Sequence, residues 1–239
     1  MKGGSVKKSE RFKMMVIVAV IIIILNGVAV LFFPLYTSRS FRLVGSTVLG
    51  GYFIWLFPKQ CTTVIPIIIA FWLRDIAAIF YENGPKAWGY FVFGGLAYLA
   101  LFFGHLKSVL GVKIVVPSIV LSFLVILACF GILYNIEAVM DVARYNKSLI
   151  YYFYFFGISI VFSILLAIYY YYRLGGNKAL SFSYAVFLLT ISDIAAYLGI
   201  YLENYSFFLA TRGFYFGGLI MLMNFAIVRK DIHEEEIKG

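Results

Sequence analysis

Apolar residues run along this chain in blocks that approach the roughly 20 residues a helix needs to cross a bilayer. Short polar knots separate the blocks, which lack the ten-residue alternation of barrel strands. The pattern predicts eight spans, at 14–36, 41–57, 63–81, 88–106, 112–134, 149–172, 180–201 and 208–228. Helices are expected because lipid cannot satisfy open backbone groups. The predicted fold is an all-α polytopic bundle over 14–228, with a basic cytoplasmic segment at 1–13 and a charged cytoplasmic tail at 229–239. The first block, 14–33, is long for a cleavable signal and reads as a signal anchor.

Composition agrees. Apolar residues make up 63% and charged residues 13% of the chain, against about a quarter charged in soluble domains. A net charge of +9 would suggest nucleic acid in a soluble protein, but a positive-inside bias explains it here. With the N-terminus inside, thirteen Lys and Arg fall on the inner side. Six are expected in outer loops: Arg39, Arg42, Lys86, Arg144, Lys147 and Arg212. Both termini are therefore expected in the cytoplasm, and the chain in the cell (inner) membrane. Glu82, Glu137, Asp141 and Glu203 are expected in outer loops. Cys61 and Cys129 set no disulfide framework, and with only His105 and His233 no metal or haem site is expected. No cofactor is implied.

Two carboxylates stand out against this background. Asp75 opens Asp75-Ile76-Ala77-Ala78, and Asp193 opens the identical Asp193-Ile194-Ala195-Ala196. A second shared run follows each: Phe93-Gly94-Gly95-Leu96 and Phe216-Gly217-Gly218-Leu219. Two matches in the same order predict a four-plus-four parallel duplication, with its axis normal to the membrane. Intramembrane carboxylates are costly and mark function by default. Two facing one cavity would suit an acid–base pair; alternatively, each pairs with an Arg or caps a broken helix. Arg74 is expected either to reach across to Asp193, to bind a lipid phosphate, or to snorkel outward. Ser192 and Thr190 have no His nearby for a triad and suit helix packing. The glycine pairs let helices approach closely or leave room for a chain. The aromatics at 151–156 and 169–172 suit interfacial belts.

Eight spans, Trp72-Leu73-Arg74-Asp75, a Gly/aromatic run ending near Tyr98, and Ile191-Ser192-Asp193 together resemble the lysoplasmalogenase (YhhN-like) family. The resemblance covers roughly span two to span eight. It implies an eight-helix membrane hydrolase that cleaves the vinyl ether of lysoplasmalogens, with Asp75 and Asp193 catalytic. A hydrolase with this pair would take Arg74, Ser192 and Tyr98 as substrate-binding residues, Arg74 for the phosphate headgroup. The chain departs from the family pattern where Arg74 replaces a Gly and where Val44-Gly45-Ser46 lies near an expected Lys-Pro. It departs again where Gly95 replaces a His and Gly218 a Gln.

Two functions follow as expectations. One is a lipid hydrolase, in which one Asp protonates the vinyl ether carbon and the other stabilises the oxocarbenium and orients water, with a membrane lipid or lysophospholipid as substrate. The other is a non-catalytic carrier or binding protein for a small solute or lipid that uses the same two aspartates.

Overall fold

The computed structural model describes residues 2–81, 87–109, 116–140, 147–202 and 204–236. Among these residues the chain is helical and forms no strand. Four helices come first: α1 (Lys2–Phe32), α2 (Leu35–Leu56), α3 (Ile65–Ile79) and α4 (Trp88–Leu106). Four more follow: α5 (Val116–Met140), α6 (Lys147–Leu174), α7 (Gly176–Tyr201) and α8 (Tyr205–Glu236). Pro34 separates α1 from α2, and Pro66 sits in the first turn of α3, where a missing N–H costs nothing. At the α6–α7 corner Gly175 takes φ of 58°, a left-handed turn that favours glycine.

Among the described residues six helices are long and apolar enough to cross a membrane: α1, α4, α5, α6, α7 and α8. The protein is an integral membrane bundle. The predicted second and third spans take a different form. α3 has only 15 residues. α2 starts six residues before its predicted boundary of 41, which brings Arg39 inside the helix together with Arg42. Both side chains are buried, and so is Arg212 on α8. These three are therefore interior residues rather than the loop cations expected from charge counting. Each lies on a helix face that turns toward its neighbours, where long arginines can share polar partners. Glu137 belongs to α5, not to a loop, and accepts a hydrogen bond from the Tyr154 hydroxyl. Glu82, Lys86, Asp141, Arg144 and Glu203 lie outside the described residues.

Packing runs as a closed circuit. α1 packs on α2, α2 on α3, α3 on α4, α4 on α6, α6 on α7, α7 on α8, and α8 returns to α1. α5 stands outside this ring, against α6 and α7, and Leu133 is its single buried side chain among those described. Ser122 with Tyr169 (2.8 Å) ties one part of α5 to α6, and Tyr154 with Glu137 ties another. The aromatic run at the start of α6 splits by face: Tyr151 and Tyr152 are exposed, whereas Phe153 and Phe156 are buried in the ring.

Candidate functional site

The dry core of a helical bundle penalises any lone charge. The charges inside this ring accordingly alternate in sign. Arg42 Nε lies 3.1 Å from Asp75 Oδ1, and Arg74 NH2 lies 3.6 Å from the same oxygen. Arg74 NH1 donates to both oxygens of Asp193, at 2.8 and 3.0 Å. The order Arg42–Asp75–Arg74–Asp193 thus draws on α2, α3 and α7. Of the roles open to Arg74, the structure supports the reach to Asp193. Arg74 is fully buried, so it neither snorkels nor meets lipid.

Neighbours on a helix point about 100° apart, so Arg74 and Asp75 diverge at their α-carbons. The long guanidinium stem still returns to within 3.6 Å of Asp75 while holding Asp193 more closely. Its planar face meets three rings, with centroids 4.8 Å away at Phe71, 5.0 Å at Tyr215 and 5.7 Å at Tyr90. Such contacts suit a desolvated guanidinium.

Three tyrosines complete the carboxylates' partners. The Tyr215 hydroxyl donates to Asp75 Oδ2 at 2.6 Å. Tyr98 donates to Asp193 Oδ2 at 2.8 Å, and Tyr90 donates weakly to Oδ1 at 3.3 Å. Tyr98 is itself fixed, since Ser163 of α6 donates to its carbonyl at 2.8 Å and its ring packs edge-on to Phe71 and Phe156. Each aspartate is held by a tyrosine from the opposite end of the sequence: α8 serves α3, and α4 serves α7.

Asp75, Asp193, Arg74 and Tyr98 are therefore gathered in one cluster. Ser192 is not. Its hydroxyl donates to the Thr211 carbonyl at 3.0 Å and ties α7 to α8. Arg42, Tyr90 and Tyr215 join the cluster without having been singled out from sequence. The pair Arg39 and Arg42, three apart on one helical face beside an apolar run, was the available signal for the first. Nothing in the sequence distinguishes Tyr90 and Tyr215 from the other aromatics.

The glycines of α4 matter by close approach. A Cβ on Gly94 would lie 2.5 Å from Phe156 and 3.3 Å from the Arg74 stem, and one on Gly95 would overlap Phe155. Glycine here lets α6 press its aromatics onto the cluster. In α8, a Cβ on Gly218 would meet Leu189 of α7 at 2.7 Å, whereas Gly217 has ordinary room.

Two cavities adjoin the cluster, and Tyr197 lines both. One, about 80 Å³, lies between α5, α6 and α7. Its wall is almost wholly apolar, including Leu133, Phe153, Ile160 and Val161, with Thr190 and Asp193 as its polar spots. The other, about 30 Å³, lies where α2 and α8 begin and α3 and α7 end, and is lined by Arg39, Arg42, Arg212, Tyr81 and Tyr90 among others. The site is thus a buried charge cluster flanked by a greasy cavity and a basic one. No family model, curated protein or solved structure matches this chain, so the site is read from its own residues.

Proposed function

We propose that the protein is an intramembrane lipid hydrolase of the lysoplasmalogenase type, with Asp75 and Asp193 as its catalytic pair. The observation that carries this reading is the sharing of Arg74 between the two aspartates at the edge of an apolar cavity. A vinyl ether chain suits a slot of that chemistry, and α5, loosely packed on the outside of the ring, gives lipid a route to it. Asp193 lines the slot and is the proton donor to the vinyl carbon. For that step Arg74 moves its charge from Asp193 toward Asp75, a carboxylate already within 3.6 Å, and Asp193 takes up a proton from water before the substrate reacts. Protonation of the carbon gives an oxocarbenium, and water adds to it. The hemiacetal then collapses to a fatty aldehyde and a glycerophospho-alcohol, and Asp193 regains its proton. Tyr98 orients Asp193 throughout.

Eight spans and a four-plus-four parallel repeat belong to the same reading. Asp75-Ile76-Ala77-Ala78 and Asp193-Ile194-Ala195-Ala196 have the same burial pattern, each with a half-exposed Ile between buried neighbours. The α2–α3 pair would cross as part of the bundle, its arginines covered by the ring. Removing Arg39, Arg42 and Arg212 from the outer loop count leaves three outer cations against thirteen inner ones, which favours cytoplasmic termini in a cell membrane.

One observation favours a second reading. Both carboxylates already contact guanidinium groups, as in a stable buried network, which suits a carrier or lipid-binding protein without chemistry. Fatty-aldehyde release from a lysoplasmalogen, by the purified protein in liposomes, separates the two. The hydrolase reading expects release that stops in Asp193→Asn. Saturable lipid binding with no aldehyde would establish the carrier reading instead.

A further inference from the structure

Within the central cluster the charges of Arg42, Asp75, Arg74 and Asp193 cancel. Arg212 falls outside that balance. It is 2% exposed, and among the described residues its NH2 donates only to neutral acceptors, the Ser38 carbonyl at 3.3 Å and the Ser38 hydroxyl at 3.0 Å. Its Nε is buried with no hydrogen-bond partner. A guanidinium with five donors, buried and bound among the described residues to one serine, is expensive to keep. It lines the basic cavity together with Arg39 and Arg42, and the Thr211 and Tyr90 side chains border the same space.

The location adds a second argument. At ~1.5 Å per residue, Arg212 lies roughly 10 Å from the start of α8 and Arg39 roughly 6 Å from the start of α2. This is about the depth at which lipid headgroups meet the hydrocarbon. A volume of about 30 Å³ holds a small oxyanion's oxygens rather than a nucleotide or a sugar. Tyr197 separates this cavity from the apolar slot, so one molecule with an anionic head and a single chain could occupy both.

We infer that the cavity between Arg39, Arg42 and Arg212 is a binding site for a phosphate group. Arginine's planar fork matches phosphate with paired, charge-assisted hydrogen bonds. The anion supplies the negative charge that Arg212 lacks and the acceptor that its Nε lacks. The group comes either from the headgroup of a single-chain lipid or from free phosphate. Binding at this site does not depend on turnover at the aspartates, so it is measured apart from the hydrolase reading.

The test is thermal unfolding of the full-length protein in detergent, with inorganic phosphate titrated against chloride at matched ionic strength. Lysophosphatidic acid is titrated in a parallel series. Wild-type protein is expected to gain stability in a saturable manner. Arg212→Gln is expected to need at least tenfold more ligand for the same gain, and Arg212→Lys to fall between them. Without anion, Arg212→Gln should unfold no earlier than wild type, because it removes an unbalanced buried charge; this also shows that the variant is folded. Response to both ligands supports the site and identifies the phosphate group alone as sufficient. Response to the lipid alone supports it with a headgroup as the source. No gain in wild type with either ligand overturns the proposal, as does an equal gain in Arg212→Gln.

Discussion

Replacing each aspartate in turn should have unequal effects on stability, and the order of the charges says which is worse. At an effective dielectric near 20, unit charges 2.8 Å apart attract by roughly 6 kcal/mol, and at 3.6 Å by roughly 4.6 kcal/mol. In Asp193→Asn, Arg74 loses its nearer partner but keeps Asp75 at 3.6 Å, so most of its attraction has a substitute. The new amide oxygen can still accept from Tyr98. In Asp75→Asn, Arg42 loses the only carboxylate in contact with it among the described residues. Breaking a buried pair from one side costs about 3–5 kcal/mol, and that range is expected for Asp75→Asn. Asp193→Asn should cost about 1–3 kcal/mol, the range for a buried hydrogen-bonding group with altered partners. Adding Arg42→Gln to Asp75→Asn removes the orphaned charge, so the double variant should be more stable than Asp75→Asn alone. Unfolding in detergent with increasing sodium dodecyl sulfate, followed by tryptophan fluorescence, measures all four proteins. Equal losses for the two single variants, or a larger loss for Asp193→Asn, would refute the alternating arrangement.

Two further substitutions probe the surroundings of the cluster. Gly94→Ala should destabilise by about 1–3 kcal/mol through overpacking against Phe156 and the Arg74 stem, whereas Gly213→Ala, with nothing within 4 Å, should be neutral or stabilise by up to about 1 kcal/mol; the same unfolding assay compares them. Val161→Phe fills the apolar cavity and should raise KM for a lysoplasmalogen about tenfold while leaving the protein folded, and an unchanged KM would show that the chain lies elsewhere.

The parts of this molecule that could be read from its sequence are those set by local composition. Long apolar blocks specify helices in lipid, and fourth-span boundaries at 88–106 coincide with α4 because an aromatic and a His–Lys pair mark its ends. The two aspartates stood out because a carboxylate within an apolar run has few innocent explanations. The reach of Arg74 to Asp193 was one of three outcomes, and only the ring closure selects it. Arg39, Arg42 and Arg212 depart from the expected outer loops for a physical reason. Charge counting assumes that cations near helix ends face water, whereas these turn inward to a shared polar cavity. Glu137 departs for another reason: α5 runs on to Met140 and so includes it, and there it accepts from Tyr154 on α6. Ser192 shows the limit of adjacency: one residue from Asp193, it points to a different helix, as a 100° step requires. The tyrosines that hold the carboxylates come from distant segments, a tertiary fact that 19 tyrosines in one chain conceal.

The central claim is that Asp75 and Asp193, joined by Arg74, form one site that protonates a vinyl ether. Its most direct test is hydrolysis of a lysoplasmalogen in deuterium oxide by the purified protein, with Asp193→Asn beside it and the aldehyde trapped by reduction as it forms. The account predicts aldehyde carrying one deuterium at the carbon next to the carbonyl carbon from wild type, and none released by folded Asp193→Asn. Undiminished release by Asp193→Asn, or no release by folded wild type across several headgroups, would contradict it.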